Sequence, residues 1–154
     1  MNLELTLQIG QLVSTLAAVA AIVVAVYTYK RQTNTLVFLE YTKRYAEVME
    51  SFPADTRGAR LNLDGEPPPC SMDLTASVLR YLNLCSEEFY LCHRGYLSRD
   101  VWRIWEDELL RTLRSPLVRR EWQMLKGEFA SYPEFITLVD RSQSVSTGCA
   151  YPTA

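Results

Sequence analysis

The sequence is poor in the residues that build catalytic and metal centres. It has one histidine, His93, and no CxxC or HExxH spacing. Zinc sites need clusters of such ligands, so neither a metal nor a cofactor is expected. No phosphate-binding loop and no supported nucleophile accompany the acidic residues. Adjacent residues on a helix point about 100° apart, so Cys92 and His93 do not form a thiol–imidazole pair. Cys85 and Cys92 read as small core hydrophobes. Two turns apart, they cannot bond to each other within one helix. A net charge of −2 gives no global attraction to nucleic acid, so double-stranded DNA is not an expected partner. No segment alternates with strand period, and no repeat is visible. These absences point away from an enzyme.

Charge is missing altogether from residues 5–29. As a helix this run is about 37 Å long, enough to cross a hydrocarbon core of about 30 Å with some tilt. A cleaved signal peptide needs a basic leader, a short apolar core and a small-residue cleavage site. Here Met1 to Glu4 contain no Lys or Arg, and the run ends in Tyr27, Thr28, Tyr29, Lys30 and Arg31. A retained anchor is therefore expected, with the lipid bilayer as its surroundings. Lys30 and Arg31, followed by Lys43 and Arg44, place the C-terminal part in the cytoplasm and the N-terminus outside.

Within the run, Gly10, Ser14, Ala17, Ala18, Ala21 and Ala25 recur at helical spacing. Leu12, Leu16, Val19, Ile22, Val23 and Val26 cover much of the other face. Small residues in register let a second transmembrane helix approach closely, so Gly10, Ser14, Ala17, Ala21 and Ala25 are candidates for packing against a copy of the chain or a partner subunit.

The rest of the chain reads as helices. Residues 1–31 form the anchor and residues 32–53 a juxtamembrane helix. That helix carries the stripe Val37, Phe38, Tyr41, Tyr45, Val48, Met49 and Phe52, and ends at Pro53. The polar patch 32–35 is either continuous helix or a hinge. Residues 54–71 are a Pro/Gly-rich connection, residues 72–141 a helical cytosolic module, and residues 142–154 a flexible tail. Ser71, Ser98 and Ser115 are expected N-caps, the last followed by Pro116 at the first helical position. Gly95 follows the first module helix as a terminator. Ser131 and Glu134 have capping-box spacing. The fold class is all-α: one N-terminal transmembrane helix continuing into a small antiparallel helical bundle.

Two polar groupings stand out in the module. Glu87 and Glu88 are adjacent; the expectation is that one pairs with an Arg and the other faces solvent. Arg94, Arg99, Arg103, Arg111, Arg114, Arg119 and Arg120 are interleaved with Trp102 and Trp105, without a single Lys. Guanidinium groups suit bidentate recognition of phosphate or carboxylate. Arg94, Arg99, Arg103, Arg119, Arg120 and Trp102 are accordingly the candidate contacts for an anionic ligand or a partner, although Trp102, with Trp105 and Trp122, is first of all an expected anchor of the bundle core. Acidic neighbours offset much of this charge, and the expected state is a solvated face laced with helix ion pairs. On that expectation, replacing Arg119 and Arg120 by Lys changes stability by no more than about 0.5 kcal/mol.

Residues 82–90 (LNLCSEEFY), then Gly95, Tyr96, Leu97, Trp102, Trp105, Pro116 and Trp122, resemble a group of small bacterial proteins with one N-terminal span and a helical cytosolic domain. Juxtamembrane Phe38, Leu39, Glu40, Lys43, Arg44 and Tyr45 are similar too. The resemblance implies a bacterial inner-membrane location and brings no activity with it. The expected function is that of a non-enzymatic single-pass membrane protein presenting a helical interaction module, such as an accessory subunit of a larger membrane complex. The alternative is a membrane sensor or effector whose Arg-rich helices bind an anion such as a nucleotide signal.

Overall fold

A computed structural model describes residues 3–144, apart from the side chains of Leu3, Leu5 and Thr6. All regular structure among them is helical. Five α-helices follow in order: α1 (Leu3–Ser51), α2 (Met72–His93), α3 (Arg99–Leu113), α4 (Pro116–Leu125) and α5 (Pro133–Ser144). Short 3-10 turns lie at Ala59–Leu61 and Lys126–Phe129. The chain divides into two units, Met1–Leu39 and Glu40–Ala154.

The first unit is the N-terminal part of α1. Its mean hydropathy reaches 2.3 over an 18-residue window, making α1 the one described helix long and apolar enough to cross a membrane. Every described residue from Leu7 to Gln32 is exposed, so the apolar surface runs around the whole circumference. Ser14, Ala17, Ala21 and Ala25 are among these residues, and a Cβ placed on Gly10 would meet nothing within 4 Å. The hydroxyls of Thr15 and Thr35 donate to the carbonyls of Gln11 (2.9 Å) and Arg31 (3.1 Å). Donation to the carbonyl four residues back satisfies these polar groups within the helix. The patch 32–35 is helical.

The second unit is a small antiparallel helical bundle packed against the last turns of α1. Its core is formed by Leu74, Val78 and Leu82 of α2, Leu109 and Leu113 of α3, Leu117, Val118 and Trp122 of α4, and Phe135 and Val139 of α5. Phe129, Trp122, Phe135, Phe89 and Trp102 add a run of tilted and edge-on ring contacts with centroids 5.3–6.2 Å apart. Leu84, off the main stripe of α2, is buried as well. A second side of α2 is covered by the end of α1, and the Ser77 hydroxyl donates to the Ser51 carbonyl at 2.7 Å.

Local sequence sets most of the boundaries. The hydroxyls of Ser71, Ser98 and Ser115 accept from the backbone N–H groups of Leu74, Val101 and Val118. Each satisfies one of the unpaired donors of a helix start. Gly95 (φ 73°) ends α2 in the left-handed conformation, where Tyr96 N–H reaches the Leu91 carbonyl and Gly95 N–H the Cys92 carbonyl.

Two boundaries differ from expectation. The last helix starts at Pro133, so Tyr132 rather than Ser131 precedes it; proline's fixed φ suits the first helical position. It also runs through Ser144, with Ser142 buried. The remainder of the expected tail, and Cys149 with it, lie outside the described residues.

Candidate functional site

The apolar stripe on the C-terminal turns of α1 delivers Tyr41, Arg44 and Tyr45 to one side of the bundle, where α1 meets α2 and α3. Spacing of three and four residues puts these groups on one helix face. Each tyrosine there joins a carboxylate and an arginine. Arg44 forks onto Glu87, with Nη1 at 2.6 Å from Oε2 and Nη2 at 3.2 Å from Oε1. The Tyr41 hydroxyl donates to the same Oε2 at 3.3 Å, and the Arg44 guanidinium lies 5.2 Å from the Tyr41 ring centroid. Further along, the Tyr45 hydroxyl donates to Glu108 Oε1 at 2.6 Å and Arg60 Nη1 donates to it at 3.1 Å. Arg60 in turn sits 5.4 Å from the Tyr45 ring centroid. Burial pushes the Glu108 carboxyl up, but the bonds from Tyr45 and Arg60 and the Arg60 charge outweigh it, so its pKa lies below the ordinary value.

Between these two groups lies Glu88. It is 7% exposed and makes no hydrogen bond or ion pair among the described residues. Burial, followed by repulsion from Glu108, raises its pKa from 4.5 to about 8. The carboxyl therefore holds its proton at neutral pH. It lines a cavity of about 240 Å³ with Tyr41, Tyr45, Tyr81, Trp105 and Glu108. Cys85 lines it too, and burial pushes its thiol well above the ordinary range, which leaves the sulfur unreactive.

The adjacent acids thus divide differently from expectation. Glu87 takes the arginine, but Glu88 is buried rather than solvated. The sequence carried a signal for this: Tyr81, Cys85, Glu88 and Cys92 follow one another at spacings of four, three and four on the apolar side of α2. Glu121 is the same kind of case. It falls on the stripe of Leu117, Val118, Trp122 and Leu125, and it is fully buried.

The candidate arginines are dispersed. Arg94 caps α2, 5.5 Å from the Tyr90 ring centroid, and lines an open groove of about 710 Å³ that also contains Tyr90, His93 and Tyr132. Arg99 and Arg103 are exposed, one turn apart on α3. Arg119 is half-buried and donates to the Arg114 carbonyl at 3.5 Å.

Arg120 has a different role from the solvated one expected. Its Nε and Nη2 both reach Glu121 Oε1, at 3.0 and 2.6 Å, while Nη1 donates to the Pro68 carbonyl. Glu121 Oε2 accepts from the Thr75 hydroxyl at 2.8 Å. Replacing Arg120 by Lys therefore alters this bonded network, and a larger effect than that of a surface change is expected. Trp102 is 7% exposed and packs on Phe89, and Trp122 is fully buried, so both anchor the core as expected; Trp102 offers little surface to a ligand or partner.

Among the described residues no group of three His, Cys, Asp or Glu side chains is placed to hold a metal ion. The three thiols described are free: Cys70 exposed, Cys92 half-buried and Cys85 buried. No family model matches the chain, and neither the curated proteins nor the solved structures contain a match to it.

Proposed function

We propose that this is a non-enzymatic single-pass protein of the bacterial inner membrane, with its N-terminus outside and its helical module in the cytoplasm, acting as an accessory subunit of a larger membrane complex. The observation that carries the membrane reading is the exposure of α1. Leu7, Ile9, Leu12, Val13, Leu16, Val19, Ile22, Val23, Val24 and Val26 each keep more than half of their surface open. An amphipathic helix of a soluble protein has one apolar stripe; a helix apolar all round belongs in lipid or in a core. Among the described residues no core covers this one. Lys30 and Arg31 at its end support the orientation through the positive-inside rule, and Tyr27 and Tyr29 suit the interface.

The non-enzymatic part of the reading is supported by the chemistry of the module. Its buried thiol is held protonated, and its one histidine stacks on Phe89 at 5.7 Å. The anion-sensing alternative has less support, because Arg119 and Arg120 are engaged with the chain itself, whereas Arg94 lines an open groove.

The partner is tested through the small-residue face. Ala21→Leu adds bulk where a second helix would approach, and Val19→Leu adds it on the opposite face; both positions are exposed. Association in a transmembrane assay, at matched membrane levels, should fall for Ala21→Leu and hold for Val19→Leu. Equal association of the two would make the span a plain lipid-facing anchor. A loss seen only when the partner subunit is present supports the accessory role over a homo-oligomer.

A further inference from the structure

The cavity at Glu88 has the wrong sign for an anion and the wrong size for a nucleotide. Pockets for drug-sized ligands run to about 300–1,000 Å³. This one is about 240 Å³. Its charged lining is acidic: Glu88, without a partner among the described residues, and Glu108, already neutralised by Arg60. The nearby guanidinium of Arg44 is likewise committed to Glu87. The remaining surface is largely aromatic. Tyr41 and Trp105 stand 5.6 Å apart at 39°, and Tyr45 and Tyr81 complete four rings around one space.

Ring faces are electron-rich and attract cations, most strongly where water is excluded. A buried carboxyl without a hydrogen-bond partner supplies the counter-charge that the rings lack, offset only in part by the charge of Arg44. The geometry points to a binding site for a small organic ammonium ion, held by Tyr41, Tyr45, Tyr81 and Trp105 with Glu88 as counter-ion. This goes beyond the proposed anchoring role and does not depend on it.

Occupancy carries a proton with it. The free carboxyl is protonated at neutral pH, because its pKa is about 8. An ammonium ion beside it favours the ionised form, so binding converts the acid to a carboxylate and releases the proton to solvent. Besides burial, the charges that set this balance are Glu108 on α3, Arg44 on α1 and Glu87 on α2, with Arg60 behind Glu108; Cys85 and Tyr81 on α2 and Tyr41 and Tyr45 on α1 are the other titratable groups lining the space.

The test uses the full chain in mild detergent, with choline as probe and 3,3-dimethylbutan-1-ol as its neutral isostere. Calorimetry at pH 7 in buffers of different ionisation enthalpy reads both affinity and proton release. Choline should bind saturably and release close to one proton, and the alcohol should bind at least about tenfold more weakly. Glu88→Gln keeps the shape of the side chain; its melting transition reports that it folds. In that variant choline affinity should drop by about tenfold or more and proton release should vanish. Equal binding of choline and the alcohol, unchanged choline binding by a folded Glu88→Gln, or no saturable choline binding would each overturn the proposal.

Discussion

Arg120→Met should destabilise the bundle by about 3–5 kcal/mol, a large share of the stability of a small domain. Glu121 is fully buried, and Arg120 supplies its counter-charge. Methionine keeps the length and apolar stem of the side chain but leaves an acid without compensation in the core. It also removes the donor to the Pro68 carbonyl, a bond that ties residues 52 positions apart. Arg120→Lys should cost less, since the charge remains, yet more than a surface change, because one ammonium cannot serve the Glu121 oxygen and the Pro68 carbonyl with the same fixed fork. The double variant Arg120→Met with Glu121→Leu should recover much of the loss, since exchanging a buried pair for apolar groups is often neutral. Urea unfolding of the four proteins measures all three effects. A loss below about 0.5 kcal/mol for Arg120→Met would return Arg120 to the solvated surface.

Glu88→Gln should change the pH dependence of stability in the opposite direction from an ordinary carboxylate substitution. The Glu88 pKa is about 8 in the folded chain against an ordinary 4.5. Between these values the native state binds a proton that the unfolded state has released. Stability from this group is therefore full below about pH 4.5 and falls as pH rises towards 8. At about 1.36 kcal/mol per unit, the whole excursion is on the order of 3–5 kcal/mol.

Glutamine holds no titrating proton, so the variant should lose this slope and overtake the parent near pH 8. The lowered pKa of Glu108 acts in a separate window: its contribution is present above its unfolded value and is lost as the solution becomes acidic. Tyr81 and Cys85, whose raised values follow from burial, titrate above the window. Melting curves from pH 5 to 8 decide the matter. Parallel profiles for the two proteins would mean that the Glu88 carboxyl is solvated and ordinary.

How legible these features were follows from the range of the interactions that make them. Caps are local. Ser71, Ser98 and Ser115 each bond to a backbone N–H three residues on, and Gly95 completes a turn within five residues, so all four could be read from spacing. The same locality explains the miss at Ser131, where two start signals overlap and Pro133 sets the boundary. The long apolar N-terminal helix was legible because a missing charge over 25 residues needs no partner to interpret.

The buried acids were not, because what buries them and part of what they bond to are distant in sequence. Arg120 is adjacent to Glu121, but Thr75, which also donates to it, lies 46 residues away, and the half-exposed Glu108 is joined by Tyr45, 63 residues away. Periodicity puts Glu88 and Glu121 on apolar stripes, which flags them as anomalies without naming their neighbours. The arginine-rich segment misled in the complementary way. Composition groups Arg94 with Arg120, whereas the fold sends one to an open groove and the other into a buried network.

The measurement closest to the central claim is the accessibility of the two ends of α1 across a membrane. Cys70 is an exposed native thiol, Cys85 is buried, and Cys92 and Cys149 can be replaced by Ser. In that background Asn2→Cys adds a second reporter before the span. Spheroplasts expressing the chain with either reporter are treated with a membrane-impermeant maleimide, before and after permeabilisation. The account predicts that a cysteine at position 2 reacts in intact spheroplasts while Cys70 reacts only once the membrane is opened. Labelling of both ends, or of neither, in intact spheroplasts would mean that α1 does not cross; labelling of Cys70 alone would mean that it crosses the other way.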